Sequence, residues 1–510
     1  MQQKCLKSDI YVNENLVCDT TEQPIDVDFS LPDYCPDISK IFKCNAIPRI
    51  ASKSINSGTI TLDGNVIITI LYGDKEGRFC SYEYQYPFSK NIELSKDCTG
   101  ANIFCRIKCD YINCRAVTGR KVDIHGAAGI YIRVFKRKCS EIVSDIDDCN
   151  IESRKITAPA TVPMGYAEKY LLIEEDIRLS SGQSAIQNIL KVNSAVCVKE
   201  TKIINDKAVV KGELTICVLY CTENSFTPQV VKSVLPYSQI VDIDGVTDTC
   251  ECECKAEIAS LDVKPKAVTG GEIKCFGLNA KILLTCESYC SNEIPVICDA
   301  FSRKFETQIK RQNVAFDKIC SNIKETYNCK KSIELDFNVN SVVDLWCSLQ
   351  NKNTKFEANN MLICGTLVAS MIVCDENNIP LYIEKPIDFE YKHPFEQGSG
   401  MPHCNPEIEV LACGFTITSS TNIELRVEMG INASIYEKNE ISLISDMEID
   451  ETKCIKRVCD EAMVLYFADT GDCVWDIANK FGASVNEIMN INGLENQCLQ
   501  ETKILLVPII

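Results

Sequence analysis

The sequence predicts a mainly β protein: three tandem β-rich domains followed by a small α+β module. Two observations lead to this fold class. An internal repeat of about 150 residues runs through the first 450 or so positions, and the last 48 residues carry strand and helix signals in the order βααβ. Repeats of this length far exceed solenoid units, so each is large enough to enclose a core of its own.

The repeat is clearest in one glycine-interrupted strand pattern. The segment 62–72 reads LDGNVIITILY and matches VKGELTICVLY at 210–220, at a shift of 148 residues. A third copy is more divergent. Its signals are Gly365, which follows Gly212 by 153 residues, and a G-x-N-A segment that ends at Ala433 and repeats one 153 residues earlier.

This spacing predicts domain boundaries near Asn150 and Ser302 and a linker near Thr452–Asp460. The predicted domains are 1–150, 151–302, 303–452 (the divergent copy) and the module at 459–510.

Apolar and polar residues alternate in much of each repeat, which is typical of half-buried sheet. Gly64, Gly212 and Gly365 interrupt otherwise good strands. Each glycine therefore predicts a bulge or a close approach of another group.

The C-terminal module carries start and stop signals for two helices between two short strands. Apolar runs at 464–467 and 504–507 suit the strands. Asp472 is the predicted N-cap of the first helix, and Gly482 ends that helix. An S-x-x-E capping box at 484–487 opens the second helix.

This segment resembles the LysM domain. The family's G-D-T-L-W-x-I-A core appears as GDCVWDIA at 471–478, and further matches are KFGASV at 480–485 and INGL at 491–494. The resemblance implies glycan binding through the loop after the first strand and the loop after the second helix. Cys473 replaces the usual hydroxyl residue. The implied binding surface consists of Gly471, Asp472, Cys473, Val474, Ile491, Asn492, Gly493 and Leu494. Trp475, Ile477 and Phe481 are expected in the module's own core.

The three repeats resemble SPOCS domains of endospore-forming bacteria. The matching residues are LPDYCPDI at 31–38 and the strand at 210–220. SPOCS repeats followed by LysM resemble the domain order of spore coat morphogenetic proteins. That resemblance implies a protein made in the mother-cell cytoplasm and then held at the forespore surface in the spore coat. Its partners would be the morphogenetic ATPase of the coat basement layer and other coat proteins.

Composition narrows the partners further. The formal net charge is −18, so nucleic acid and anionic membrane surfaces are poor partners. No apolar run approaches the roughly 18 residues of a transmembrane helix. The first 19 residues show no apolar core of a secretory signal, so we expect the chain to stay in the compartment where it is made.

Thirty-two cysteines are the most unusual compositional feature. In a reducing cytosol disulfides are rare, so most cysteines, such as Cys217, are expected to act as small hydrophobic residues. No C-x-x-C occurs and only three histidines are present. We therefore predict neither a metal site of familiar spacing nor a cofactor.

One cysteine pattern leaves two interpretations open. Cys250, Cys252 and Cys254 alternate, so on a strand they would face one side, either as a metal or redox site or as a packed cysteine-rich face. A separate hypothesis is that exposed cysteines cross-link the mature coat once conditions become oxidising.

No catalytic motif is present: G-x-S-x-G, a Walker A loop and G-x-G-x-x-G are all missing. His403 and Cys404 are neighbours, but a nucleophile and its base need spatial geometry rather than adjacency. No catalytic residue is predicted, and three functions stay open. The first is a coat scaffold that docks through LysM. The second is a peptidoglycan-binding protein anchored to the cortex or germ-cell wall, and the third is an unrecognised enzyme.

Overall fold

The structure, a computed structural model, describes residues 5–56, 58–94, 98–146, 148, 150–222, 225–267, 273–357, 359–396, 398, 400–454 and 462–509. Strands dominate these residues, and two short helices lie near the C-terminus, which confirms the predicted mainly β class. Within the described ranges, neither helix is long or apolar enough to cross a bilayer.

Repeat 1 forms two three-stranded antiparallel sheets. Its strands are β1 (Cys5–Ser30), β2 (Lys40–Asn56), β3 (Thr59–Gly73), β4 (Phe79–Glu93), β5 (Asn102–Ala116) and β6 (Lys121–Ile146). One sheet has the order β1-β6-β5 and the other β2-β3-β4. Their apolar faces enclose one core, because alternate residues of β3 and β6 belong to the same buried cluster.

Repeat 2 has the same topology. Its strands are β7 (Ile151–Arg178), β8 (Ile186–Ile204), β9 (Lys207–Thr222), β10 (Ser225–Asp242), β11 (Glu251–Ala267) and β12 (Ile273–Ser302). The sheets are ordered β11-β12-β7 and β10-β9-β8. The position of each strand in its sheet therefore repeats that in repeat 1.

Repeat 3 keeps this plan with one extra short strand. Its strands are β13 (Phe305–Glu334), β14 (Val339–Glu357), β15 (Asn360–Asp375), β16 (Pro380–Pro394), β17 (Met401–His403), β18 (Glu407–Ser419) and β19 (Asn422–Cys454). Strand β19 pairs with β13, β17 and β18, and the second sheet is β14-β15-β16. The structure thus shows a third copy of the same two-sheet unit.

The three predicted glycines lie at close approaches. A Cβ atom at Gly64, Gly212 or Gly365 would overlap a carbonyl oxygen of the neighbouring strand and the aromatic ring of the strand on its other side. Those rings belong to Phe88, Tyr237 and Phe389. The prediction is confirmed, and its physical reason is an aromatic ring lying over the glycine backbone in every repeat.

The repeats also share cores with one another. The long strand pairs β1–β6, β7–β12 and β13–β19 each contribute equivalent residues to two common buried clusters. One cluster contains Ile142, Val296 and Leu443, and the other contains Val143, Ile297 and Ile444. A third, which we call the joint cluster, contains Leu71, Leu219 and Ile372 from the other sheets. The three repeats therefore pack as one body with an approximate threefold relation.

Charged side chains also cross between repeats. Arg106 on β5 lies 3.1 Å from Glu407 on β18, and Lys255 on β11 lies 3.1 Å from the same carboxylate. Lys255 also pairs with Glu253, and Arg106 lies 3.8 Å from Glu257. Equivalent strands of all three repeats thus meet in one ion-pair network.

Strand breaks separate the repeats between Ile146 and Ile151 and between Ser302 and Phe305. We propose the divisions 1–150, 151–302, 303–452 and 459–510 as domain units on this basis. Most of the predicted linker, residues 455–460, lies outside the described residues.

Candidate binding surface

The C-terminal module has the predicted βααβ order. Strands β20 (Met463–Ala468) and β21 (Lys503–Pro508) pair antiparallel, and helices α1 (Val474–Phe481) and α2 (Val485–Asn492) lie between them in the chain. Trp475 and Ile477 are buried in the module core, and Phe481 packs at its edge. The expected core role of these three residues is confirmed.

The helix ends differ partly from expectation. Gly482 and Gly493 terminate α1 and α2 with positive φ angles of 62° and 59°. The N-cap of α1 is Cys473 rather than Asp472, because the Asp472 carboxylate accepts a hydrogen bond from the Asp469 amide, outside the helix. Ser484 is the N-cap of α2 as predicted, but its side chain makes no capping hydrogen bond.

The first predicted binding loop is tied to the loop before β21. The Gly471 amide donates to Leu499 O at 2.8 Å, and the Val474 amide donates to Gln497 O at 2.7 Å. Cys473 and Cys498 pair through their backbones in an isolated antiparallel β-bridge. Gly471 is exposed, Asp472 and Cys473 are half-buried, and the Val474 side chain lies in the core. Val474 therefore offers only backbone atoms to a ligand.

The second predicted segment is fastened to the sheet by one side chain. Asn492 Nδ2 donates to Ile488 O and Leu506 O, both at 2.8 Å, and Asn492 Oδ1 accepts from the Leu506 amide. Ile491 is exposed, whereas Leu494 packs partly against the core. The Asn492 amide thus holds α2 to β21, and these loop residues stay a predicted surface.

A feature that the sequence reading missed is an exposed apolar face on the module sheet. The inner side chains of β20 and β21 pack under the helices, but the outer ones are open. Their exposed fractions are 48% for Met463, 61% for Leu465, 74% for Phe467, 53% for Ile504 and 36% for Leu506. Leu465 lies opposite Leu506 and Phe467 opposite Ile504, so the five form one patch. We call these five residues the sheet face.

The contiguous apolar run at 463–467 is the signal for this face. A half-buried strand alternates polar and apolar residues, whereas a run that is apolar throughout indicates burial on both sides. The helices cover only one side of this two-stranded sheet, so its second apolar side faces solvent.

The module rests against the end of repeat 2. Trp475 Nε1 donates to Asp299 Oδ2 at 2.9 Å, and the Trp475 ring meets the Phe301 ring edge-on at 5.1 Å. Asp299 also accepts from Arg311. The tryptophan therefore serves the module core and its attachment to β12 together.

The LPDYCPDI segment forms the loop between β1 and β2. Arg120 donates from its guanidinium to Leu31 O, Pro32 O and Cys35 O and to the Asp37 carboxylate. One half-buried guanidinium thus satisfies four oxygens of the loop. Sequence reasoning missed Arg120, because it lies 83 residues after Asp37.

The cysteine expectations are met in part. Cys250, Cys252 and Cys254 are all buried in the core of repeat 2, as a shared strand face predicts. Cys250 is disulfide-bonded to Cys290, although disulfides were expected to be rare. Exposed free thiols in the described ranges are Cys18, Cys139, Cys454 and Cys498, the candidates for cross-linking.

The neighbouring pair His403 and Cys404 has no catalytic geometry in the structure. The His403 ring stacks on Tyr436 at 5.4 Å. Burial raises the pKa of the Cys404 thiol to about 12, which disfavours the thiolate a nucleophile needs.

Comparison with known families gives two matches. A model described as SipL, SPOCS domain matches residues 37–117 and 185–266, and a LysM domain model matches residues 469–508. The SPOCS matches fall in repeats 1 and 2, from β2 to β5 and from β8 to β11. No curated protein and no solved structure matches the chain. Both matched families are binding domains rather than catalytic ones, and the chain thus carries two segments that match the SPOCS domain and a C-terminal segment that matches the LysM domain.

Proposed function

We propose that this protein is a non-enzymatic scaffold of spore coat assembly whose LysM module docks on another protein, the ATPase of the coat basement layer. The SPOCS and LysM matches support a role in sporulation. The exposed apolar side chains of the sheet face are the reason for proposing a protein partner. The protein would then move from the mother-cell cytoplasm to the forespore surface with the coat.

The sheet face fits a protein better than a sugar. Five aliphatic or aromatic side chains in one patch gain free energy when another apolar surface removes them from water. A glycan presents hydroxyl groups, and the outer faces of these side chains offer no donor or acceptor to them. Protein interfaces, in contrast, often have an apolar core inside a polar rim.

A capture experiment with the full chain tests this proposal. The Leu465→Arg variant places a charge at the centre of the sheet face. The matched Leu172→Arg variant places the same charge outside the sheet face, at a similarly exposed leucine on β7. We expect Leu465→Arg to lose at least tenfold in affinity for the purified coat ATPase, and Leu172→Arg to bind as the unchanged protein does. Equal binding by both variants would count against the sheet face.

A second candidate is anchoring to peptidoglycan. The LysM match favours peptidoglycan binding. Three residues of the predicted binding loops are exposed and therefore accessible to a glycan, namely Gly471, Ile491 and Gly493. Retention of the full chain on purified peptidoglycan, undiminished by Leu465→Arg and without capture of the ATPase, would establish this second function instead. Fluorescence imaging of sporulating cells, with and without residues 459–510, then shows whether either activity directs localisation.

A further inference from the structure

A cluster of three thiols lies in the core of repeat 2, outside the surfaces considered so far. Cys254 on β11 faces Cys286 on β12 directly across the strand pair, and Cys252 precedes them by one rung. Cys254 and Cys286 are fully buried, and Cys252 is 8% exposed. The three Sγ atoms lie within 4.8 Å of one another.

The three sulfur atoms are close enough to share one ligand. Cys252 Sγ lies 3.4 Å from Cys254 Sγ, which lies 2.7 Å from Cys286 Sγ. Thiolates bound tetrahedrally at about 2.3 Å from a zinc ion lie about 3.8 Å apart. The Cys254 and Cys286 sulfur atoms would move apart by about 1 Å to hold one ion, a shift that side-chain rotation can supply.

The fold itself does not require thiols at these places. The equivalent residues of repeat 1 are Ile103, Cys105 and Ile132, since Cys105 pairs with Ile132 as Cys254 pairs with Cys286. In repeat 3, Ala433 takes the place of Cys286. These counterparts in the other repeats are apolar or lone thiols, so a core of this shape needs only small or apolar side chains. Repeat 2 therefore differs from the other repeats by bringing three thiols together at these places.

The surroundings of the cluster suit a soft metal ion. Its three sulfur donors come from two paired strands and are closed off from water. All three can therefore reach one ion without the competition that solvent would bring.

We propose that Cys252, Cys254 and Cys286 form a three-thiolate site for a thiophilic d10 metal ion, Zn²⁺ or Cu⁺. Soft thiolate ligands select these ions over oxygen-seeking ones such as Mg²⁺ or Ca²⁺. Binding involves no oxidation. Each thiol that becomes a ligand gives its proton to solvent, so the three sulfur atoms hold the ion as thiolates.

The test uses the full chain, reduced and freed of metal under anaerobic conditions. Zn²⁺, Cd²⁺ as its spectroscopic probe, and Cu⁺ are each titrated past one equivalent in the presence of a competing chelator, so that only the tightest site fills. We expect binding to saturate at one ion per chain, with three sulfur ligands by X-ray absorption and release of protons on Zn²⁺ binding. The metal that competes best against its chelator distinguishes Zn²⁺ from Cu⁺.

Three variants make the outcome decisive. Cys254→Ser removes one sulfur ligand, and Cys286→Ala installs the residue that repeat 3 carries at 433, so the fold is expected to tolerate it. The matched control is Cys105→Ser, at the position in repeat 1 equivalent to Cys254. We expect at least a hundredfold loss of affinity in the first two variants and none in the control. Equal metal binding in Cys286→Ala and the unchanged protein, or fewer than three sulfur ligands, would overturn the site.

Discussion

Single residues at the contacts between repeats respond to pH. Glu409 on β18 lies near the ion-pair network, and burial raises the pKa of its carboxyl to about 7. The neighbouring Glu407 and Glu257 raise this pKa further, whereas Arg106 lowers it. The folded state thus binds a proton more tightly than the unfolded chain does. Lowering the pH from about 7 towards the ordinary carboxyl pKa therefore stabilises the fold through this group.

The direction of this pH effect on stability can be measured with one variant. We expect the melting temperature of the unchanged protein to rise between pH 8 and pH 6 more than that of Glu409→Gln, which cannot titrate. The exposed Glu175→Gln serves as control and should keep the pH dependence of the unchanged protein. Identical pH profiles for Glu409→Gln and the unchanged protein would contradict the buried position of this carboxyl.

One hydrogen bond attaches the module to repeat 2. Trp475→Phe keeps an aromatic ring beside Phe301 but removes the donor to Asp299. A hydrogen bond to a charged group contributes roughly 1.5–3 kcal/mol, so amides of α1 should exchange about ten- to a hundredfold faster by hydrogen–deuterium exchange. The matched Trp346→Phe change in repeat 3 should leave α1 unaffected. Unchanged exchange in Trp475→Phe would mean that this bond does not hold the module.

At the scale of single strands, the glycine under each aromatic ring is the most constrained position. Gly212→Ala would force its Cβ against Cys197 O and the Tyr237 ring, and overpacking of this kind costs about 1–3 kcal/mol. Gly182→Ala in the same repeat meets no atom within 4 Å and is the matched control. Chemical denaturation should show a lower midpoint for Gly212→Ala alone. A midpoint equal to that of Gly182→Ala would show that the ring can move aside.

The elements were predictable where local chemistry alone decides them. Gly482 and Gly493 end helices because glycine readily adopts the left-handed conformation. The strand glycines leave room for an aromatic ring because they have no side chain. Each feature could be predicted because it depends only on the presence of a glycine. Asp472 was misassigned because its carboxylate has a competing donor, the Asp469 amide, which only the turn geometry brings near. Repeat 3 also differs from its sequence alignment. Counted from the bulges at Cys298 and Ser445, Ala433 corresponds to Cys286 and not to Ala280.

The spacing of the sequence repeat does not predict the contacts between repeats. The sequence nevertheless marks the strand positions at which those contacts occur. The joint cluster residues Leu71, Leu219 and Ile372 each have an apolar neighbour on both sides in the chain, so the alternation of the strand breaks there. Such a break indicates burial on both faces. It does not say which surface covers the second face, because that depends on how three distant segments pack together.

At the scale of the whole molecule, an ordered ring of charges accompanies the shared clusters. Lys155 of repeat 2 lies 2.7 Å from Asp145 of repeat 1, and Arg311 of repeat 3 pairs with Asp299 of repeat 2. Lys7 of repeat 1 helps to lower the pKa of Asp446 of repeat 3, after the hydrogen bond from Lys310. Each repeat therefore offers a cation to the preceding one, and the first offers one to the third. These pairs are exposed and stabilise little, so the apolar clusters hold the body together.

Shared clusters imply that the repeats do not unfold independently. Leu219→Ala removes a fully buried side chain from the joint cluster, whereas Leu214→Ala does the same within the core of repeat 2 alone. Both changes should cost roughly 2–5 kcal/mol. In hydrogen–deuterium exchange, Leu219→Ala should weaken protection around Leu71 and Ile372 as well, because the cavity opens to repeats 1 and 3. Leu214→Ala should act within repeat 2. If Leu219→Ala also left repeats 1 and 3 untouched, they would be separate domains, and the scaffold would be a flexible string instead of one rigid body that presents its LysM module at a fixed place.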